Sequence, residues 1–234
     1  MNARKLLVFD LDGTLVDSQR DLAESANQML ASYGAPPLAV ETVAGMVGNG
    51  AKVLVERALS AAGLDSAEPG ALGRFLAFYD RELLVHTRPY PGIVPALEAA
   101  SRLAPVAVLT NKPETSTKRL LDAFGLSPLV RWVIGGDSGY PRKPDPAGLL
   151  SLVSAAGVAL DATLLVGDSM VDVETGRRAG VRVCVARYGF GGVRTPLTLP
   201  AGELAVDHPG ELARVLEAFL VPNDVPNNDL TGRI

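Results

Sequence analysis

The run Leu6-Leu7-Val8-Phe9 is wholly apolar and ends abruptly in Asp10-Leu11-Asp12-Gly13-Thr14-Leu15-Val16-Asp17-Ser18. A buried strand that delivers two carboxylates into a glycine turn is a costly construction, because neighbouring carboxylates repel and lose hydration. A divalent cation relieves both costs. Magnesium takes oxygen ligands and keeps several waters, so one or two carboxylates plus a substrate phosphate hold it. A plain surface turn also favours Asp and Gly, but it explains neither the apolar lead-in nor the Gly13-Thr14 that follows.

At 234 residues, 47% of them hydrophobic, the chain has material for one large domain or two modest ones. Net charge is -4 and the Lys and Arg residues are scattered, so no nucleic-acid surface is expected and an anionic ligand must be attracted locally. No apolar run approaches the roughly 18 residues of a membrane helix, and Met-Asn-Ala-Arg-Lys enters a strand, not a signal-peptide core. No membrane partner and a cytoplasmic location are therefore expected. The single cysteine, Cys184, lies inside the apolar run Val181 to Ala186 and reads as a small buried side chain.

Short Val/Leu-rich runs recur at Val106 to Leu109, Val130 to Ile134, Thr163 to Val166 and Val181 to Val185, with helical segments between them. This alternation predicts an α/β fold with a Rossmann-like parallel sheet core. Helix starts are read at Pro113 and at Asp145-Pro146, with Asp145 as N-cap, and a stop at Gly125. From the first strand to Pro91 the pattern is helical without a convincing strand: Leu22, Ala26, Met29, Leu30 and Tyr33 form one stripe, and further runs span Ala51 to Ala62 and Ala71 to Val85. An inserted helical cap domain is expected over residues 16–87, the core over 1–15 and 88–221, and a disordered tail over 222–234. A helical layer that merely extends the core is the alternative.

Ligands of open parallel sheets sit outside the carboxyl ends of the strands. The residues that follow the apolar runs are Asp10 and Asp12, Thr110 and Asn111, Lys143, and Asp168. They comprise carboxylates for a cation, one ammonium and small hydrogen-bond donors, as a phosphoryl group requires. Singly, Thr110-Asn111 reads as a capping turn and Lys143 as a loop cation; jointly, all would have to fall by chance at one sheet edge. Gly167-Asp168-Ser169 with Asp172 is more than a cap.

Phe9-Asp10-Leu11-Asp12-Gly13-Thr14, Leu109-Thr110-Asn111, Lys143-Pro144 and Gly167-Asp168-Ser169 with Asp172 resemble the four motifs of the haloacid dehalogenase superfamily, over nearly the whole chain. Val47-Gly48-Asn49-Gly50-Ala51, Thr110-Asn111-Lys112-Pro113, Val133-Ile134-Gly135-Gly136-Asp137 and Lys143-Pro144-Asp145-Pro146 resemble its phosphoglycolate phosphatase branch. The resemblance implies an Mg2+-dependent phosphatase acting on a small phosphorylated metabolite through an aspartyl-phosphate. In that scheme Asp10 is the nucleophile and Asp12 the general acid and base, and Asp10, Asp168 and the backbone carbonyl of Asp12 ligate the metal. Thr110, Asn111 and Lys143 hold phosphate, and Asp172 orients metal-bound waters or Lys143, with Ser169 a lesser candidate for the same work.

Gly48-Asn49-Gly50 has two readings, a helix-start loop or a substrate-recognition loop to which Lys52 and Arg57 add positive charge. His86 and His208 show no ligand spacing, and Trp132 reads as core. Rival functions are a sugar-phosphate phosphatase or phosphomutase of the same superfamily, or a phosphate-responsive signalling module. The last is usually about half this length and lacks a helical insert. Oligomeric state is not legible in the sequence.

Overall fold

In a computed structural model, residues 5–190 and 204–221 are described. The expected tail from Pro222 lies outside them. The apolar run forms β1 (Leu6–Phe9) and stands at the centre of a six-stranded sheet. The other strands are β4 (Val106–Leu109), β5 (Trp132–Ile134), β6 (Thr163–Gly167), β7 (Arg182–Ala186) and β8 (Leu204–Val206). Their order is β5-β4-β1-β6-β7-β8, and every pair is parallel. β1 pairs Val8 with Ala107 on one side and Leu165 on the other.

All four β1 side chains are buried because both sheet faces are covered. Leu6 and Val8 point into one cluster with Leu149, Leu152 and Val153 of α7 (Ala147–Ala156). Leu7 and Phe9 point into the opposite cluster, with Ile93 and Leu97 of α5 (Ile93–Ser101) and Leu216 and Phe219 of α9 (Leu212–Leu220). Burying each such side chain stabilises the fold by about 1.5–3 kcal/mol before the entropy of ordering is counted.

The second cluster continues through Leu11, Leu15 and Val16 into the helical insert, where it takes in Met29, Leu30, Leu59 and Phe75. The insert contains α1 (Gln19–Ala31), α2 (Val40–Ala44), α3 (Ala51–Ala61) and α4 (Ala71–Glu82). Its connections carry two strands that the helical periodicity conceals. β2 (Val16–Asp17) and β3 (Arg88–Pro89) pair antiparallel, with Val16 opposite Pro89. A two-residue strand is too short to show alternation, and so is β8, which was also not expected. β5 begins at Trp132 instead of Val130, and Trp132 is only partly buried because its strand is at the sheet edge.

Helix ends follow local chemistry. α6 (Glu114–Ala123) follows Pro113, and Asp145 accepts from the Ala147 amide at 2.9 Å one residue earlier than a strict N-cap, that position being held by Pro146. α8 (Met170–Ala179) starts at Ser169 and stops at Gly180. Among the described residues no helix is long and apolar enough to cross a membrane. Cys184 is buried in β7, which pushes its thiol up to about 12.

Candidate active site

Asp10, Thr110, Lys143 and Asp168 follow β1, β4, β5 and β6, and the sheet brings all four to one edge in buried positions. The Asp10 amide continues the ladder by donating to the Val166 carbonyl at 2.8 Å, and the Thr110 amide does the same with Ile134 at 2.9 Å. The first turn comes close to Asp168 because Gly13 has a φ of 86°, and because a Cβ there would overlap the Asp168 carboxylate. Glycine is thus required twice at one residue.

Asp10, Asp168 and Asp172 each offer a carboxylate oxygen within 4.8 Å of the others, all buried. The Lys143 ammonium lies among them, 2.9 Å from Asp10 Oδ1 and 2.6 Å from Asp172 Oδ1. Its shorter contact is a hydrogen bond to Asp172, and it faces Asp10 Oδ1 as an ion pair. Burial raises the Asp10 carboxyl to about 6, with Lys143 opposing the rise and Asp172 adding to it. Burial would lower Lys143, but Asp10 and Asp172 outweigh it and hold the ammonium above the ordinary lysine range.

Asp172 divides its oxygens. Oδ1 accepts from Lys143, and Oδ2 accepts from the Ser169 hydroxyl at 2.6 Å and the Ser169 amide at 3.1 Å. It therefore caps α8 and orients Lys143 at once. Asp168 Oδ2 accepts from the Phe190 amide at 2.7 Å.

Asp12 belongs to a different group. Its carboxylate is not one of the three clustered acids, and it accepts from the Lys112 ammonium at 2.9 and 3.0 Å and from the Ser18 hydroxyl at 2.6 Å. Lys112 also hydrogen-bonds the Tyr79 hydroxyl of α4. Burial would lower Lys112; Asp12 and Tyr79 reverse that and raise it. Sequence reasoning gave Lys112, Tyr79 and Ser18 no role. Lys112 stands in the Thr-Asn-Lys-Pro string, whereas Tyr79, four residues after Phe75, reads simply as core.

Asn111 is brought to the site, but its carboxamide is engaged by backbone. Nδ2 donates to the Gly48 carbonyl at 2.8 Å and the Lys143 carbonyl at 2.9 Å, and Oδ1 accepts from the Lys143 amide at 2.9 Å. At the start of α6 the Glu114 amide donates to Asp137 at 2.7 Å. A cavity of about 50 Å³ lies between the sheet edge and the insert. Asp10, Asp12, Thr110, Asn111 and Lys112 line it from the sheet, and Gly48 and Gly50 from the insert. Gly50 opens α3 with a φ of 89°, and a Cβ there would stand 3.3 Å from the Asn111 carbonyl.

Asn49, Lys52 and Arg57 are not among the lining residues. Lys52 lies 3.8 Å from Glu56, and Arg57 donates to the Met46 carbonyl at 3.1 Å. His86 sits 3.6 Å from Glu24, and neither it nor His208 lines the cavity.

The same architecture recurs in known proteins. The family model described as haloacid dehalogenase-like hydrolase matches residues 7–186. Phosphoglycolate phosphatase 1 of Pseudomonas aeruginosa is 43% identical over 211 residues, covering 87% of this chain and 76% of that protein. The phosphoglycolate phosphatase of Rhodospirillum rubrum is 43% identical over 210 residues, covering 86% of each. The crystal structure of a predicted phosphoglycolate phosphatase from Haemophilus somnus superposes with a TM-score of 0.85 at 32% identity, over 91% of this chain and 97% of that one. A family match across most of the chain, relatives alike over most of their length and a shared fold lead to one conclusion: this chain belongs to the haloacid dehalogenase-like hydrolases.

Proposed function

We propose that this protein is an Mg2+-dependent phosphatase that hydrolyses 2-phosphoglycolate to glycolate and phosphate, with residues 16–87 acting as a cap over the sheet edge. The observation that carries the reading is the buried Asp10 carboxylate, held between Lys143 and two further acids at the sheet edge. Relatives named phosphoglycolate phosphatase, alike over most of the chain, supply the substrate. The cavity of about 50 Å³ is small, in keeping with a compact leaving group.

The donor set fits magnesium. It is all oxygen, and three buried carboxylates converge there with one ammonium, Lys143, between Asp10 and Asp172, which leaves negative charge for a divalent cation to offset. Asp10 and Asp168, with the Asp12 backbone carbonyl, would hold the ion, which when bound offsets charge on the transferred phosphoryl group. Asp10 then attacks phosphorus in line and forms an aspartyl-phosphate, and water releases phosphate in a second step. Asp12 gives a proton to the leaving oxygen and later takes one from water, a role worth about 10²–10⁴-fold. Lys143, steadied by Asp172, balances the charge on Asp10 and on the phosphoryl oxygens, and the Thr110 hydroxyl binds one of them. A panel of small phosphate monoesters assayed with Mg2+ and with excess chelator tests the reading. Activity should require the ion and be greatest on 2-phosphoglycolate; undiminished turnover in chelator, or a preference for hexose phosphates, would refute it.

A further inference from the structure

Lys112 is a cation that the reaction described above leaves without a task. Only 3% of its side chain is exposed, and among the described residues lining the cavity it alone carries a positive charge. The insert side of the cavity, with Leu22, Leu54, Phe75 and Leu76, is apolar. A second negative group carried into such a space loses its hydration and needs a fixed positive partner. Lys52 and Arg57 do not supply one, since the first lies beside Glu56 and the second donates to the Met46 carbonyl.

We propose that Lys112 selects the substrate by receiving, at its ammonium, a carboxylate carried beside the phosphoester. The assignment rests on the phosphatase reading and moves recognition of the acid from the Gly48 loop to the sheet edge. Nζ straddles both Asp12 oxygens at 2.9 and 3.0 Å. In the reaction Asp12 meets the ester oxygen, and in a two-carbon acid the carboxylate carbon is two bonds beyond that oxygen. A cation touching Asp12 therefore stands where that carboxylate falls.

An ammonium has three donors, and here two contacts go to a single carboxylate. One of them can pass to the incoming acid while Asp12 Oδ1 keeps the Ser18 hydroxyl at 2.6 Å. Tyr79 holds the ammonium from the insert side, so the charge is oriented only where insert and sheet meet. A neutral polyol phosphate offers this cation a hydroxyl but no opposite charge.

The test compares 2-phosphoglycolate with its neutral analogue 2-hydroxyethyl phosphate. The wild type should favour phosphoglycolate in kcat/KM, and Lys112→Met, similar in length but uncharged, should lose about 10²-fold more on phosphoglycolate than on the neutral ester. Equal losses on the two esters would overturn the assignment, because a lysine that merely balanced Asp12 would affect both alike. A wild-type preference that survives in the variant overturns the role of Lys112 alone. A wild type that hydrolyses both esters without preference overturns the substrate reading, and this proposal with it. Should Lys112→Met not fold, the 15Nζ resonance of Lys112 in the wild type decides: it should shift when 3-phosphonopropionate, which matches phosphoglycolate in chain length, binds and not when propylphosphonate does, and equal shifts would refute the proposal.

Discussion

Asp10 is a carboxylate removed from water and kept beside an ammonium, and burial outweighs the ammonium enough to raise it to about 6 from 3.8. The folded protein thus binds this proton more tightly than the unfolded chain. The resulting stability is complete below about pH 4 and is lost as pH rises through about 6. A cation must displace the same proton, so Mg2+ affinity should fall about tenfold per pH unit below about 6. Calorimetric titrations between about pH 5 and 7 should show this slope in the wild type and a flat response in Asp10→Asn, which should also form no phosphoenzyme in a single turnover. The neighbouring acid behaves differently because its carboxylate faces Lys112 and Ser18. Asp12→Asn should cripple both chemical steps while retaining metal binding, whereas Asp168→Asn should lose the metal. Equal loss of Mg2+ affinity in the two variants would show the Asp12 carboxylate to be a ligand.

Two connections between elements decide how the insert meets the sheet. Asp21 of α1 is fully buried and accepts from the His86 amide at 2.9 Å, the Thr87 amide at 2.8 Å and the Thr87 hydroxyl at 2.6 Å. It ties the outgoing chain to the returning one beside the β2-β3 ribbon. Asp21→Asn presents an amide to donors that need an acceptor and should cost about 1–3 kcal/mol, read as a lower urea midpoint at unchanged slope. Asn111 is the second connection, since its amide protons join the Gly48 carbonyl to the Lys143 carbonyl. Asn111→Ala should release the 48–51 loop, raising its amide exchange about tenfold or more and lowering kcat/KM. Unchanged exchange would show that the loop is held by its own packing. Arg119 and Asp80 add an exposed ion pair between α6 and α4, and pairs of that kind contribute little.

For the molecule as a whole, one hydrophobic cluster runs from the sheet into the insert, and the polar contacts of Lys112 with Tyr79 and of Asn111 with Gly48 join the two at the cavity. Closure of the insert on a ligand would exclude water from the site and complete it. Beryllofluoride with Mg2+ should therefore protect residues 16–18 and 86–91 from exchange or proteolysis, while the sheet strands stay as they were. Unchanged protection at both connections would make the insert a fixed layer of the core.

Local physics was enough for much of this. An unbroken apolar run such as Leu6 to Phe9, a glycine turn, and a proline before a helix each act within a few residues, so the strand–helix alternation and the acids at the strand ends could be read directly. The α/β fold and the placement of Asp10, Thr110, Lys143 and Asp168 at one sheet edge follow from that alternation and from the geometry of parallel sheets. What could not be read is pairing across the chain. Lys112 reaches Asp12 across 100 positions and Tyr79 across 33, and Asn111 reaches Gly48 across 63. In the sequence Lys112 is one lysine before a proline and Tyr79 one aromatic in an amphipathic stripe. Only the packing of the insert on the sheet removes both from water and forces them to satisfy each other, and that is a property of tertiary contact.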